Sequence, residues 1–287
     1  MEFKKLTDEE VETWRMLDDC LDDEASDRLL AELGGDEDAH CLITSVCGLA
    51  ADGYFDAMHK LLSDASTSLK RYMEYPEFRR LLMRAYEHAV ACGDAASCCN
   101  LGNMYHETDN SGTSDDYATA VQLYELGASR GDDQSSVNLG YIYYYERGRE
   151  VDYVRAYECW ARAALLADNP EAYWKLGDLY AGGKGVDQSD AVAWKMYCIA
   201  HQFCKDSPLR ARAAHHMADY LLTGIDGVVD ADPDSALALY NEAELGYYVL
   251  MDNGLTYYRR QLEQAIEGQA KAREAVAEKH RRIQAGE

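Results

Sequence analysis

Proline is scarce in this chain, with 4 residues among 287, and none interrupts an apolar helical pattern, where it would break the helix. Pro170 follows Asn169, Pro208 follows Ser207 and Pro233 follows Asp232. Each pair sets a capping side chain ahead of a proline at the first helical position, where the missing N–H is not needed. Pro76 takes the same position behind a poorer cap, Tyr75. Sustained apolar alternation is also lacking. The Asp-Gly pairs at 52–53 and 226–227 separate helical periodicities rather than strands, so hairpin sheets are excluded as the organising element. No apolar run is long enough to cross a bilayer. The start, M-E-F-K-K-L-T-D-E-E, turns acidic where the apolar core of a secretion signal would follow. A cytoplasmic location is therefore expected.

Basic residues are in short supply: 28 Lys and Arg stand against 52 Asp and Glu, for a net charge of -24. Such a surface repels phosphate backbones and anionic lipid, so neither nucleic acid nor membrane is expected as a partner. The imbalance is uneven. Residues 1–40 carry 15 acids and 4 bases, whereas 259–282 carry 7 Lys or Arg against 4 Glu. Solvated helix faces account for both, although a basic last helix could also dock on an acidic surface. The nine cysteines are odd in number and scattered through apolar helical patterns, which reads as reduced, small core residues.

Hydrophobic residues make up 47% of the chain and tyrosines number 22, so core material is ample. Tyrosine packs a ring and keeps a polar tip, which suits half-buried helix faces and interfaces. Thr7 with Glu10 forms a capping box for the first helix, and Gly34-Gly35 ends the second. Residues 36–75 read as two or three short helices, with breaks at Gly53 and at Ser66–Ser68.

The strongest signal is internal repetition. Leu101-Gly102-Asn103-Met104-Tyr105, Leu139-Gly140-Tyr141-Ile142-Tyr143 and Leu176-Gly177-Asp178-Leu179-Tyr180 all read L-G-x-x-Y, with leucine steps of 38 and 37 residues. Met217-Ala218-Asp219-Tyr220-Leu221 is a weaker fourth copy, 41 residues on. After each copy comes an alanine with an aromatic four positions later: Ala120 and Tyr124, Ala156 and Trp160, Ala193 and Tyr197, Ala236 and Tyr240. A half copy, Leu82, Tyr86, Ala89 and Gly93, precedes them. Residues i, i+3 and i+4 share a helix face, so Leu and Tyr of each motif form one stripe. A glycine inside a helix costs about 1 kcal/mol relative to alanine, so its recurrence at one register implies close backbone approach. One hairpin cannot bury its own stripe, so neighbours must stack.

These residues resemble the SEL-one-like repeat, a cousin of the tetratricopeptide repeat: A-x-x-x-L-G-x-x-Y, a Gly-rich loop, then A-x-x-x-Y/W-x-x-x-A. The third copy is the best match, with Leu176-Gly177, Tyr180, Gly182-Gly183-Lys184-Gly185-Val186, Trp194 and Tyr197. The resemblance covers about residues 77–245. It implies an all-α fold, a right-handed α-α superhelix of about four to five hairpins. Residues 1–76 would be an N-terminal helical region of degenerate repeats or a cap. Residues 246–287 would be a C-terminal cap with a basic tail, its helix running roughly from 247 to 285. The first copy departs from the family in its long polar loop, His106 to Ser114, and the fourth in Ala218 and Leu221.

Catalytic strings are present but out of context. Gly127-Ala-Ser129-Arg-Gly131 spells a nucleophile elbow without the strand it requires, and Gly182-Gly183-Lys184-Gly185 lacks the full phosphate-loop pattern. Cys198, His201 and Cys204 could offer soft ligands from one helix, but they fan around it and read as packing. A secreted branch of the family carries disulfides between its helices and is associated with β-lactam binding; Cys98 sits where the resemblance would have such a bridge begin. Its expected partner position falls nearer Val90 than Cys92, and the signature S-x-x-K is absent, Thr67 standing in Thr67-Ser-Leu-Lys70 where Ser is needed. No catalytic residue, metal or cofactor is expected.

In related tetratricopeptide arrays the first helix of each hairpin lines the concave surface. Register then assigns partner contact to Asn103, His106, Tyr141, Tyr144, Tyr145, Trp174, Asp178, His215 and Asp219, with Tyr143 left to the core. The expectation is an interaction scaffold whose aromatic and acidic groove takes a protein or peptide, basic or amphipathic. The alternative is a hydrolase or small-molecule-binding protein that uses the same face.

Overall fold

The computed structural model describes residues 23–108, 115–145, 150–204 and 209–285. The caps expected at Thr7 and at Ser207-Pro208 lie outside these residues. The described residues are helical almost throughout, and their one β feature is an isolated bridge between Ile225 and Val229. The chain forms two compact units, one ending at Leu139 and the other beginning at Gly140.

The first unit contains α1 (Asp23–Glu32), α2 (Glu37–Ala51), α3 (Phe55–Asp64), α4 (Ser66–Tyr72), α5 (Pro76–Ala91), α6 (Ala95–Thr108), α7 (Asp115–Ser129) and the start of α8 (Asp133–Tyr144). Its breaks fall where left-handed backbone is needed, at Gly34, Gly35, Gly53, Gly93 and Gly131, all with positive φ. The core gathers Leu33, Ile43, Val46, Met58, Phe78, Leu82, Tyr86, Leu101 and Leu123. The His59 ring ties α3 to the start of α6, with Nε2 2.9 Å from Asp94 Oδ2. The same carboxylate caps α6 by accepting from Ser97 N.

The second unit continues through α9 (Tyr153–Ala167), α10 (Pro170–Gly182), α11 (Asp190–Phe203), α12 (Arg210–Thr223), α13 (Pro233–Asp252), a 3-10 turn (Thr256–Tyr258) and α14 (Arg259–Ala285). Two prolines act as expected. Asn169 accepts from Ala172 N and Asp232 from Ser235 N, each cap with its proline at the first turn. Pro76 also opens its helix, behind Tyr75, which makes no side-chain cap.

Helix α13 is longer than the repeat requires. It continues to Asp252 because Tyr247 and Leu250 keep its buried stripe going. It ends at Asn253-Gly254, where Gly254 has φ +90. The terminal helix therefore begins at Arg259 rather than near residue 247. Gly268 of α14 lies against the Tyr240 ring of α13. Lys279 reaches Asp234 Oδ2 at 2.5 Å, at the α13 N-terminus, so one base of the basic tail pairs with the chain's own acids.

Each motif glycine meets the aromatic of its own second helix. A Cβ on Gly102 would lie 2.7 Å from the Tyr124 ring, and one on Gly177 would lie 2.6 Å from Tyr197. A Cβ on Gly140 would overlap Trp160. The glycine cost in helix propensity is thus offset by seating a large ring directly on a helix backbone.

Candidate functional site

The tyrosine of each second helix aims its hydroxyl at the residue after the motif glycine, or after Ala218 in the fourth copy. Tyr124 donates to Asn103 Oδ1 at 2.8 Å, Tyr197 to Asp178 Oδ1 at 3.0 Å and Tyr240 to Asp219 Oδ1 at 2.6 Å. The second copy has Trp160, which carries no hydroxyl, and the acceptor is replaced by Tyr141, packed edge-on at 5.7 Å. The residue before the motif leucine of the next hairpin reaches the same point. Asn138 Nδ2 donates to Asn103 at 3.0 Å, the Lys175 ammonium lies 4.9 Å from the Tyr141 ring centre, and His216 Nε2 is 3.5 Å from Asp178 Oδ1. Asn103, Tyr141 and Asp178 are thus equivalent junctions between hairpins, and Asp219 holds the same register position in the fourth copy.

In the second unit Asp178 and Asp219 open onto a cleft of about 900 Å³. Tyr144, Asp178, His215 and Asp219 line it, as do Tyr220 and Leu222 of α12 and Gln261, Gln264 and Lys271 of α14. Asp219 is the open carboxylate, its side chain 53% exposed. Asp178 is engaged by Tyr197, His216 and Lys175, whose Nζ lies 3.7 Å away.

The structure places two further cations here, Lys175 behind the cleft and Arg212 on its wall. Lys175 is 2% exposed. Its ammonium stands 4.4–5.5 Å from the ring centres of Trp174, Tyr141, Tyr144, Trp160 and Tyr145. Burial pulls its pKa down to about 8, against the opposing field of Asp178. Arg212 stacks 3.7 Å above Trp174 and 5.5 Å from Tyr258. Burial disfavours its charge, but Asp178 and a hydrogen bond to Tyr258 more than compensate, so its pKa is raised. The acidic character expected of the groove is therefore offset by two cations.

Trp174 is 2% exposed, wedged between Lys175 and Arg212, and it corrects the register assignment that set it on the surface. Every residue two before the motif leucine (Cys99, Val137, Trp174, His215) is buried, because that position points between hairpins. Tyr141 is half-buried and donates to Glu171 Oε1 at 2.5 Å, whereas Tyr145 is 43% exposed. Asn103 and His106 belong to the first unit, where Asn103 accepts from Tyr124 and His106 packs 5.8 Å from Tyr117.

His215 is 6% exposed, with Nδ1 3.2 Å from the Tyr247 hydroxyl. Burial pushes its pKa down to about 4 from an ordinary 6.5; Asp219 opposes this, while His216 and Arg212 add to it. A depressed native pKa gives stability that is present above pH 6.5 and lost as pH falls through 4. Between pH 7 and 4.5 this ring should cost the native state roughly 2 kcal/mol. Urea midpoints at the two pH values should show a smaller acid loss in His215→Leu than in wild type. Equal losses would refute the assignment.

Cys198, His201 and Cys204 do not converge. His201 Nε2 sits 2.9 Å from Glu242 Oε1, which Arg210 Nε also approaches at 2.7 Å. Among the described residues no three His, Cys, Asp or Glu side chains gather as a metal site, and the described cysteines are free thiols. No described helix is long and apolar enough to cross a membrane.

Comparison with known proteins gives the same repeat. The Sel1 repeat family model matches residues 95–132, 134–168, 170–200 and 211–247. The chitin synthase regulator SKT5 of Saccharomyces cerevisiae is 33% identical over 117 residues, which is 40% of this chain and 16% of that protein. The chain thus spans a small part of that relative's length. Among solved structures, a Sel1 repeat protein from Oxalobacter formigenes aligns over 81% of this chain and 99% of its own, at 22% identity and TM-score 0.52. A protective antigen of uropathogenic Escherichia coli, c5321, displays an SLR fold and aligns over 68% of this chain and 42% of its own, at 24% identity and TM-score 0.48. The first of these supports the all-α solenoid fold class.

Proposed function

Because the chain belongs to the Sel1-repeat family, we propose that it is an interaction scaffold that holds a protein or peptide segment in the cleft of its second unit. The observation that carries this reading is the convergence of equivalent register positions, Asp178 and Asp219, with Tyr144 and Tyr220 on one concave space. A segment with apolar side chains for Tyr144, Tyr220 and Leu222, and a cationic one for the exposed Asp219, suits those walls. The relative described as a chitin synthase regulator shares its stretch with this chain over 16% of its own length, and regulation of an enzyme is a role that a scaffold of this kind can serve. The hydrolase alternative has less support in the cleft. Thr223 lines it, but its hydroxyl turns to the Asp219 carbonyl at 3.3 Å.

Asp219→Asn tests the reading, because it removes the charge and keeps an oxygen that can accept from the Tyr240 hydroxyl. Capture of partners from native lysate should fall, and more so at low salt, with far-UV circular dichroism unchanged. Capture equal to wild type at both salt concentrations would remove the cleft as the docking site.

A further inference from the structure

Arg212 is a largely buried cation of the second unit whose hydrogen-bond partner is a single hydroxyl. Its guanidinium lines the cleft, stacked between Trp174 and Tyr258. The Tyr258 hydroxyl is its hydrogen-bond partner, and among the described residues no carboxylate stands within ion-pair distance. Asp178, the nearby acid, is already committed to Tyr197, His216 and Lys175. A guanidinium presents five donors in a planar fork, so most of this fork is unused. Its stacking partner Trp174 has its own indole N–H buried without an acceptor. On the same cleft, Gln261 Oε1 is buried without a donor. Unused guanidinium donors and an unused acceptor on one cleft are what a group with both an anionic oxygen and an N–H would satisfy.

We infer that Arg212 receives a carboxylate of the bound segment, either a chain end or an acidic side chain, while Gln261 accepts from a neighbouring amide N–H. This rests on the scaffold reading and adds the chemistry of the partner's anchor. A carboxylate fits better than a phosphate, because Asp178, Asp219 and Glu267 line the same space and repel a dianion more strongly. Stacking between Trp174 and Tyr258 also holds the fork rigid, so little rotamer freedom is lost when an anion docks.

The probes are N-acetylphenylalanine and its amide, which share every group except the charge, with sodium phosphate as a third ligand. The acid should raise the melting temperature of the full chain and bind about tenfold more tightly than the amide. Phosphate should bind more weakly than the acid, and Arg212→Gln should abolish the difference between acid and amide. Equal binding of acid and amide, tighter binding of phosphate, or an unchanged preference in Arg212→Gln would overturn the inference. Should that variant fail to fold, the Nε–H resonance of Arg212 in labelled wild type decides. It should move on titration with the acid and stay in place with the amide; a stationary resonance under the acid sinks the proposal. Small-ligand binding is read without any protein partner, so it can fail while Asp219→Asn still lowers capture. An acidic side chain and a chain end are then separated by N-acetylaspartic acid α-amide against N-acetylphenylalanine.

Discussion

Trp160→Ala should destabilise the second unit by about 3–5 kcal/mol, the cost of emptying a large aromatic site in a core. Trp160 is fully buried and contacts three kinds of neighbour. Its ring rests on Gly140, with Tyr141 and Tyr144 packed around it at 5.7 and 5.5 Å. It also forms one wall of the Lys175 enclosure, 5.4 Å from the ammonium. Alanine therefore opens a cavity beside a buried cation and removes one of the faces that solvate it. Water entering that cavity could partly rehydrate the ammonium, so the loss should lie toward the lower end of the range. The check is the urea midpoint of wild type and variant, followed by Trp160→Phe, which refills part of the space and should recover part of the loss. A change below about 1 kcal/mol would mean that the ring does not carry the hairpin interface.

The hairpins were legible because their signals are local. L-G-x-x-Y places Leu and Tyr on one stripe, and Asn169-Pro170 and Asp232-Pro233 announce helix starts within two residues. The pairing of Tyr124, Tyr197 and Tyr240 with Asn103, Asp178 and Asp219 was not legible, because the register set those acceptors on the groove for a partner while the structure joins them to the chain's own hydroxyls. Lys175 and Arg212 were not legible as site residues, since composition treats lysine and arginine as solvated. What buries Lys175 is a set of rings from α8, α9 and α10, brought together only by stacking. A partial clue existed: the residue before the motif leucine is polar in every copy, as Asn100, Asn138, Lys175 and His216, which hints at a shared partner across hairpins. The last helix, expected from about 247, starts at Arg259 instead, although Asn253-Gly254 is a stop signal visible in the chain.

Gly140→Leu should cost about 1–3 kcal/mol through overpacking, and the contrast with Gly48 makes the reason testable. Both glycines sit inside helices with ordinary helical backbone. At Gly140 the first added carbon would already overlap the Trp160 indole. The indole is fully buried and cannot swing into solvent, so either α8 and α9 separate or the ring leaves its rotamer. Moving the ring also disturbs Tyr141, Tyr144 and Lys175, which share its walls. At Gly48 an added Cβ meets nothing within 4 Å, so Gly48→Ala should instead stabilise α2 by roughly 0.5–1 kcal/mol through reduced unfolded-state freedom and better helix propensity. Thermal melts of the two variants should therefore shift in opposite directions. If Gly140→Leu melts with wild type, the glycine is there for something other than close contact with Trp160, and the register that aligns the four hairpins loses its physical basis.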